Sequence, residues 1–64
     1  MKTEFLLIPN AAEGKDYVVN IGEIREIVGN EDGTEIYFKT ADYIILDVPI
    51  TTVLDLLEQY RENQ

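Results

Sequence analysis

The sequence predicts an α+β fold: a small antiparallel meander of about four to five strands, with one C-terminal amphipathic helix packed on one face of the sheet. Three observations predict it. Glu35-Ile36-Tyr37-Phe38-Lys39 alternates with period two behind an Asp-Gly pair, the pattern of one arm of a hairpin. Tyr43-Ile44-Ile45-Leu46 is apolar at odd and even positions alike, which marks a strand that is either central in the sheet or covered on both sides. At a helical step, Ile50, Val53, Leu54, Leu56, Leu57 and Tyr60 fall in one stripe of about 160°.

The elements follow in chain order. Phe5-Leu6-Leu7-Ile8 is a short run, apolar on both faces and stopped by Pro9-Asn10, so it reads as a strand. Residues Pro9 to Lys15 read as a loop with a turn at Glu13-Gly14-Lys15, after which Tyr17-Val18-Val19 resumes β-prone residues. Asn20 to Val28 fits two descriptions. As a helix, Asn20 caps it with Glu23 three residues on, and Gly29 ends it. As a strand, Ile24 to Val28 pairs with the alternating segment across the turn formers Gly29 to Gly33. A single helical turn at Asn20 to Glu23 followed by a strand satisfies both patterns, because the alternating segment needs a partner. After the strand in Ala41 to Val48, Pro49 permits only an early helical position. Thr51 or Thr52 then caps the last helix, and the polar end Glu62-Asn63-Gln64 should fray. No internal repeat or linker interrupts the chain, so residues 1–64 read as one domain.

Thirteen acids face five bases in 64 residues, for a formal charge of -8, yet 45% of the chain is apolar. That combination belongs to a folded domain, since disordered acidic tails lack the aliphatic residues that offset chain entropy. A domain this small buries only about 60% of the surface of its unfolded chain. With no cysteine and no histidine, it has neither a disulfide nor a zinc staple, and association with another chain is the remaining way to bury more apolar area. Met1-Lys2-Thr3-Glu4 places an acid before an apolar run of only Phe5 to Ile8, which fits no signal peptide. No stretch approaches the length of a membrane span. The expected location is the cytoplasm. Direct binding to nucleic acid or to an anionic membrane is disfavoured, because both need clustered Lys and Arg.

Gly14-Lys15, Tyr17-Val18-Val19-Asn20, Ile24, Ile27, Tyr43-Ile44-Ile45 with Asp47, and Val53 in the last helix resemble the FlbD family of small flagellar and swarming-motility proteins. Members of that family look like Gly-Lys, an aromatic, two aliphatics and Asn, then paired isoleucines, a hairpin, a Tyr-Val-Val-like strand and a terminal helix. The likeness covers about residues 14 to 57. The chain departs from the pattern by the additional segment Phe5 to Ile8 and by its acidity. The Asn20 to Ile24 spacing is also similar to the middle of LytTR-type DNA-binding domains. Only Arg25 and Lys39 fall in that stretch here, against five acids from Glu23 to Glu35, which argues against DNA. Neither resemblance carries over catalytic residues.

The chemistry available is narrow. There is no His, Cys, Trp or serine, so nucleophilic schemes that need an imidazole base, a thiol or a seryl hydroxyl fail. No catalytic residue, cofactor or metal ligand is assigned, and the chain reads as not an enzyme. Asn30, Asp32 and Glu35 around Gly33 resemble the opening of a calcium loop, but the closing acid and the flanking helices are missing; a hairpin turn explains them better. The aromatics are mainly core material. Tyr37 is the exception, lying on the polar side of its strand with Glu35 and Lys39. Tyr43 and Ile45 are the residues that one helix on one sheet face leaves uncovered, with another subunit as the simplest cover. Tyr37, Tyr43 and Ile45 are therefore the interaction candidates.

The function expected is a non-enzymatic protein-interaction module that self-associates and binds another protein, one with a basic surface, through a sheet face or edge. Two alternatives differ in class. One is an acidic nucleic-acid mimic, of the phage inhibitor type, acting on a basic partner; its acids are dispersed here, the longest consecutive run being Glu31-Asp32. The other is an oligomer with a ligand pocket between subunits, for which Gly14, Gly22, Gly29 and Gly33 are spaced as turn residues and not as a phosphate cradle.

Overall fold

The computed structural model describes residues 4–10 and 14–62. Five strands, β1 (Phe5–Asn10), β2 (Lys15–Asn20), β3 (Ile24–Asn30), β4 (Gly33–Phe38) and β5 (Tyr43–Leu46), precede one helix, α1 (Ile50–Glu62). The α+β class is as the sequence predicts. The sheet is not the single meander expected from it. β1 and β2 form an antiparallel pair, and β3, β4 and β5 form a separate antiparallel sheet in that order.

The break lies where the sequence was ambiguous. Asn20 ends β2, and its side-chain Oδ1 accepts from the Gly22 amide at 3.1 Å, which starts a 3-10 turn at Ile21–Glu23. A side-chain oxygen at that position satisfies an amide with no helical partner. The turn is fastened to both sheets: the Ile21 amide donates to the Glu4 carbonyl at 2.9 Å and the Lys39 amide to the Glu23 carbonyl at 2.8 Å. The chain therefore rounds a corner between β2 and β3, and those two strands do not pair.

Strand limits shift as well. β1 continues through Pro9 and Asn10, which pair with Asp16 and Lys15, where the sequence predicts a loop. Proline is tolerated here because β1 has a neighbour on one side only. The expected turn at Glu13-Gly14-Lys15 lies partly outside the described residues; Gly14 itself has φ 65. The second hairpin is tighter than expected, with Glu31-Asp32 between paired Asn30 and Gly33. Asn30 Oδ1 accepts from the Asp32 amide at 2.9 Å, an Asx turn. Glycine is required at position 33: φ is 146, and a Cβ there would stand 2.1 Å from the Leu46 carbonyl oxygen.

Strand parity assigns the faces. Leu6, Ile8 and Val19 of the first sheet, Ile36 and Leu46 of the second, and Val53 of α1 meet in one buried cluster, with Tyr17, Ile24, Ile27, Phe38, Ile44 and others packed around it. Gly29 brings β3 close to the start of α1, since a Cβ there would lie 2.7 Å from Ile50 Cγ2. Two buried polar side chains tie the ends of strands to this core. Thr34 donates its hydroxyl to the Val48 carbonyl at 2.7 Å, and Asn10 Oδ1 accepts from the Asp47 amide at 3.1 Å.

The helix departs from the sequence reading at its start and on one flank. Its first bonds run from the Thr52 and Val53 amides to the Pro49 carbonyl, so neither Thr51 nor Thr52 is the cap. Val53 is the centre of the buried side. Leu54, one step or about 100° around the helix, is half exposed at 50% and falls outside the core stripe. Of the end expected to fray, Glu62 is the last residue of α1, and Asn63 and Gln64 lie outside the described residues.

Candidate functional site

Side chains that point away from the core form the outer face of the β3–β4–β5 sheet. Glu26, Tyr37 and Tyr43 lie in one cross-strand row, and Val28, Glu35 and Ile45 in the next. Successive residues of a strand alternate faces, so the same register that buries Ile36 and Leu46 turns these six outward. β5 is an edge strand, not the central or doubly covered strand that the sequence predicts, and Tyr43 and Ile45 are 57% and 58% exposed. All three candidates read from the sequence thus share one face, with Tyr37 in the middle strand.

Tyr37 is only half-buried, and its surroundings are specific. Its ring stacks on that of Tyr43, with centroids 5.6 Å apart and planes at 30°. Its hydroxyl donates to Glu35 Oε1 at 2.5 Å. Glu35 Oε2 accepts from Asn30 Nδ2 at 3.0 Å. The hydrogen bond to the Glu35 carboxylate holds the Tyr37 phenol above the ordinary tyrosine value of 10.0, because ionising it would both break that bond and place two negative charges side by side.

A β-bulge completes the site. The β3–β4 register shifts between Ile24 and Glu26, so Arg25 is an extra residue opposite Tyr37. Bulges re-aim side chains, and here the Arg25 guanidinium carbon lies 5.7 Å from the Tyr37 ring centroid. The same guanidinium pairs with Glu26 Oε1 at 3.1 Å, both side chains being more than half exposed. No local signal in the sequence shows a bulge, so Arg25 and Glu26 were not among the candidates.

A second outward apolar group was overlooked. Phe5, Leu7 and Val18 are 55%, 55% and 64% exposed, and Leu7 pairs with Val18 across the first hairpin. Its outer-face positions contain a single charge, Asp16, opposite Pro9. The sign was present in the sequence: Phe5 to Ile8, like Tyr43 to Leu46, is apolar at both parities. Comparison with family models, with curated proteins and with solved structures returns no match. Among the described residues there is no cavity and no group of three carboxylates placed to hold a metal ion. No helix among them is long and apolar enough to cross a membrane.

Proposed function

We propose that this protein is a non-enzymatic interaction module that self-associates and binds another protein through its outer sheet faces. The observation that carries the reading is the presence of two separate outward apolar groups, Phe5-Leu7-Val18 and Val28-Tyr37-Tyr43-Ile45, on a chain of 64 residues. A small domain rarely leaves two such groups uncovered without a use for them. Their charge differs, and that divides the labour. Among the described residues the paired strands of the first hairpin carry one acid on their outer face, so two copies of a chain with charge -8 meet there with the least repulsion. The second face, with Glu26 and Glu35 among its aromatic and aliphatic side chains, is left for a different protein.

The test is solution mass against concentration. Sedimentation from about 5 to 500 μM should show a rising mean mass, and Leu7→Glu with Val18→Glu should hold the protein as a monomer while its circular dichroism is retained. A constant monomer mass across that range removes self-association from the reading. Tyr43→Glu with Ile45→Glu should leave the mass curve unchanged.

A further inference from the structure

We infer that the Tyr37–Tyr43 shelf is a seat for an arginine side chain delivered by a basic segment of the partner protein. The inference rests on the interaction-module reading and names the partner's chemistry. Its geometry is already occupied once, in cis: a guanidinium, that of Arg25, stands 5.7 Å from the Tyr37 ring centroid. Aromatic faces attract cations through the ring quadrupole, and arginine is the cation most often found there because its plane also stacks. Two stacked tyrosines extend that surface beyond the area one guanidinium covers, and Tyr43, the outer ring of the pair, has no cation over it among the described contacts.

The flanking groups agree with that occupant. Glu26 is paired with Arg25, but Glu35 accepts only from the neutral donors Tyr37 and Asn30 among the described contacts. A carboxylate beside an aromatic shelf supplies the charge-assisted hydrogen bond that an arriving guanidinium makes in addition to stacking. Val28 and Ile45 lie in the same row as Glu35 and give the aliphatic stem of an arginine, or an apolar neighbour of it, a surface to cover. A second copy of this chain is the poorer occupant, since it would set Glu26 and Glu35 against another chain of charge -8. The partner segment is therefore cationic, with arginine at its centre.

The experiment is a titration of the full ¹⁵N-labelled chain with hexa-arginine and, separately, hexa-lysine, in buffer of 0.15 M salt, read from amide shifts. The expected result is that hexa-arginine moves Glu35, Tyr37, Tyr43 and Ile45 most and binds several-fold tighter than hexa-lysine. Tyr43→Ala should weaken hexa-arginine by about two- to fivefold, the size of an exposed cation–π contact, and Tyr43→Phe should restore it. Arg25→Ala should strengthen binding by vacating the Tyr37 ring, and by more than Lys15→Ala does, which removes the same charge from the other hairpin. Equal affinity for the two peptides, shifts spread over α1, or indifference to Tyr43→Ala would overturn the proposal in favour of general attraction between a polycation and an acidic surface. So would a concentration-dependent mass abolished by Tyr43→Ala in the absence of peptide, which would make a second copy the occupant. Failure of the interaction-module reading has a different signature, a mass curve flat with concentration together with no peptide shift at either sheet face.

Discussion

Three glycines separate backbone strain from steric exclusion, and substituting each with alanine should resolve the two in measured stability. At Gly14, φ is 65 and nothing among the described residues lies within 4 Å of an added Cβ, so alanine meets conformational strain alone. That strain costs about 1–2 kcal/mol, and the loss of unfolded-state freedom returns about 0.4–1 kcal/mol, leaving roughly 1 kcal/mol of destabilisation. At Gly29 the backbone is ordinary, but the Cβ would lie 2.7 Å and 2.8 Å from Ile50 Cγ2 and Cβ. Overpacking of this kind costs about 1–3 kcal/mol, with the first turn of α1 pushed outward. At Gly33 both effects act together, and the obstacle is the Leu46 carbonyl oxygen at 2.1 Å. A backbone atom cannot swing aside as a side chain can. The β4–β5 ladder must part where Thr34 faces Leu46, exposing a leucine that is otherwise wholly buried. The sum is at least about 3 kcal/mol, against a total stability of about 3–10 kcal/mol for a chain of this length. Urea unfolding followed by circular dichroism should place the midpoints in the order wild type, Gly14→Ala, Gly29→Ala, Gly33→Ala, spaced by about 1 M per kcal/mol at a slope usual for small domains. A Gly33→Ala midpoint at or above that of Gly14→Ala would refute the steric argument.

Four further outcomes follow from single contacts. Thr34→Val keeps the shape but orphans the Val48 carbonyl, and should cost about 1–3 kcal/mol in urea unfolding, with Thr34→Ser recovering part of it. Ala41, which has φ 76 in the turn between β4 and β5, should be replaceable by glycine with a gain of about 0.5–1 kcal/mol, read as a higher midpoint. Leu54→Gln should change stability by less than about 0.5 kcal/mol, whereas Val53→Ala, at the buried centre of α1, should cost about 2 kcal/mol. An ultraviolet titration should find Tyr37 ionising above the ordinary tyrosine value, with Glu35→Gln lowering it again. Because its folded value is raised, Tyr37 contributes stability that is fully present below the unfolded value of 10.0 and is lost as pH rises through the folded one. A Tyr37 transition unmoved by Glu35→Gln would deny the hydrogen bond its part.

Local patterns settled what depends on neighbours in sequence. Period two in Glu35 to Lys39 placed Tyr37 beside Glu35 and opposite Ile36, and parity does not change with partner. The helix over Ile50–Glu62 was legible from its apolar stripe, and the turn after Asn20 from its cap. Double-sided apolar character in Tyr43 to Leu46 pointed to outward hydrophobes, whereas the same character in Phe5 to Ile8 reads only as a strand. Other features depended on partners far along the chain. Whether β2 pairs with β3 was decided by the tethers from Ile21 to Glu4 and from Lys39 to Glu23, which span 17 and 16 positions of sequence. Leu54 and Leu56 flank the same stripe, and only the docking direction of α1 exposes the first and half-buries the second. Pro9 and Asn10 read as a loop because loops use those residues, yet pairing with Asp16 and Lys15 draws them into a strand, and the buried Asn10 side chain finds its donor, the Asp47 amide, 37 residues away. The bulge that sets Arg25 over Tyr37 is of this second kind: it is a property of the register between two strands, and a register exists only once both strands are in place. Sequence chose the residues that face outward; the tertiary structure decided which of them stand together.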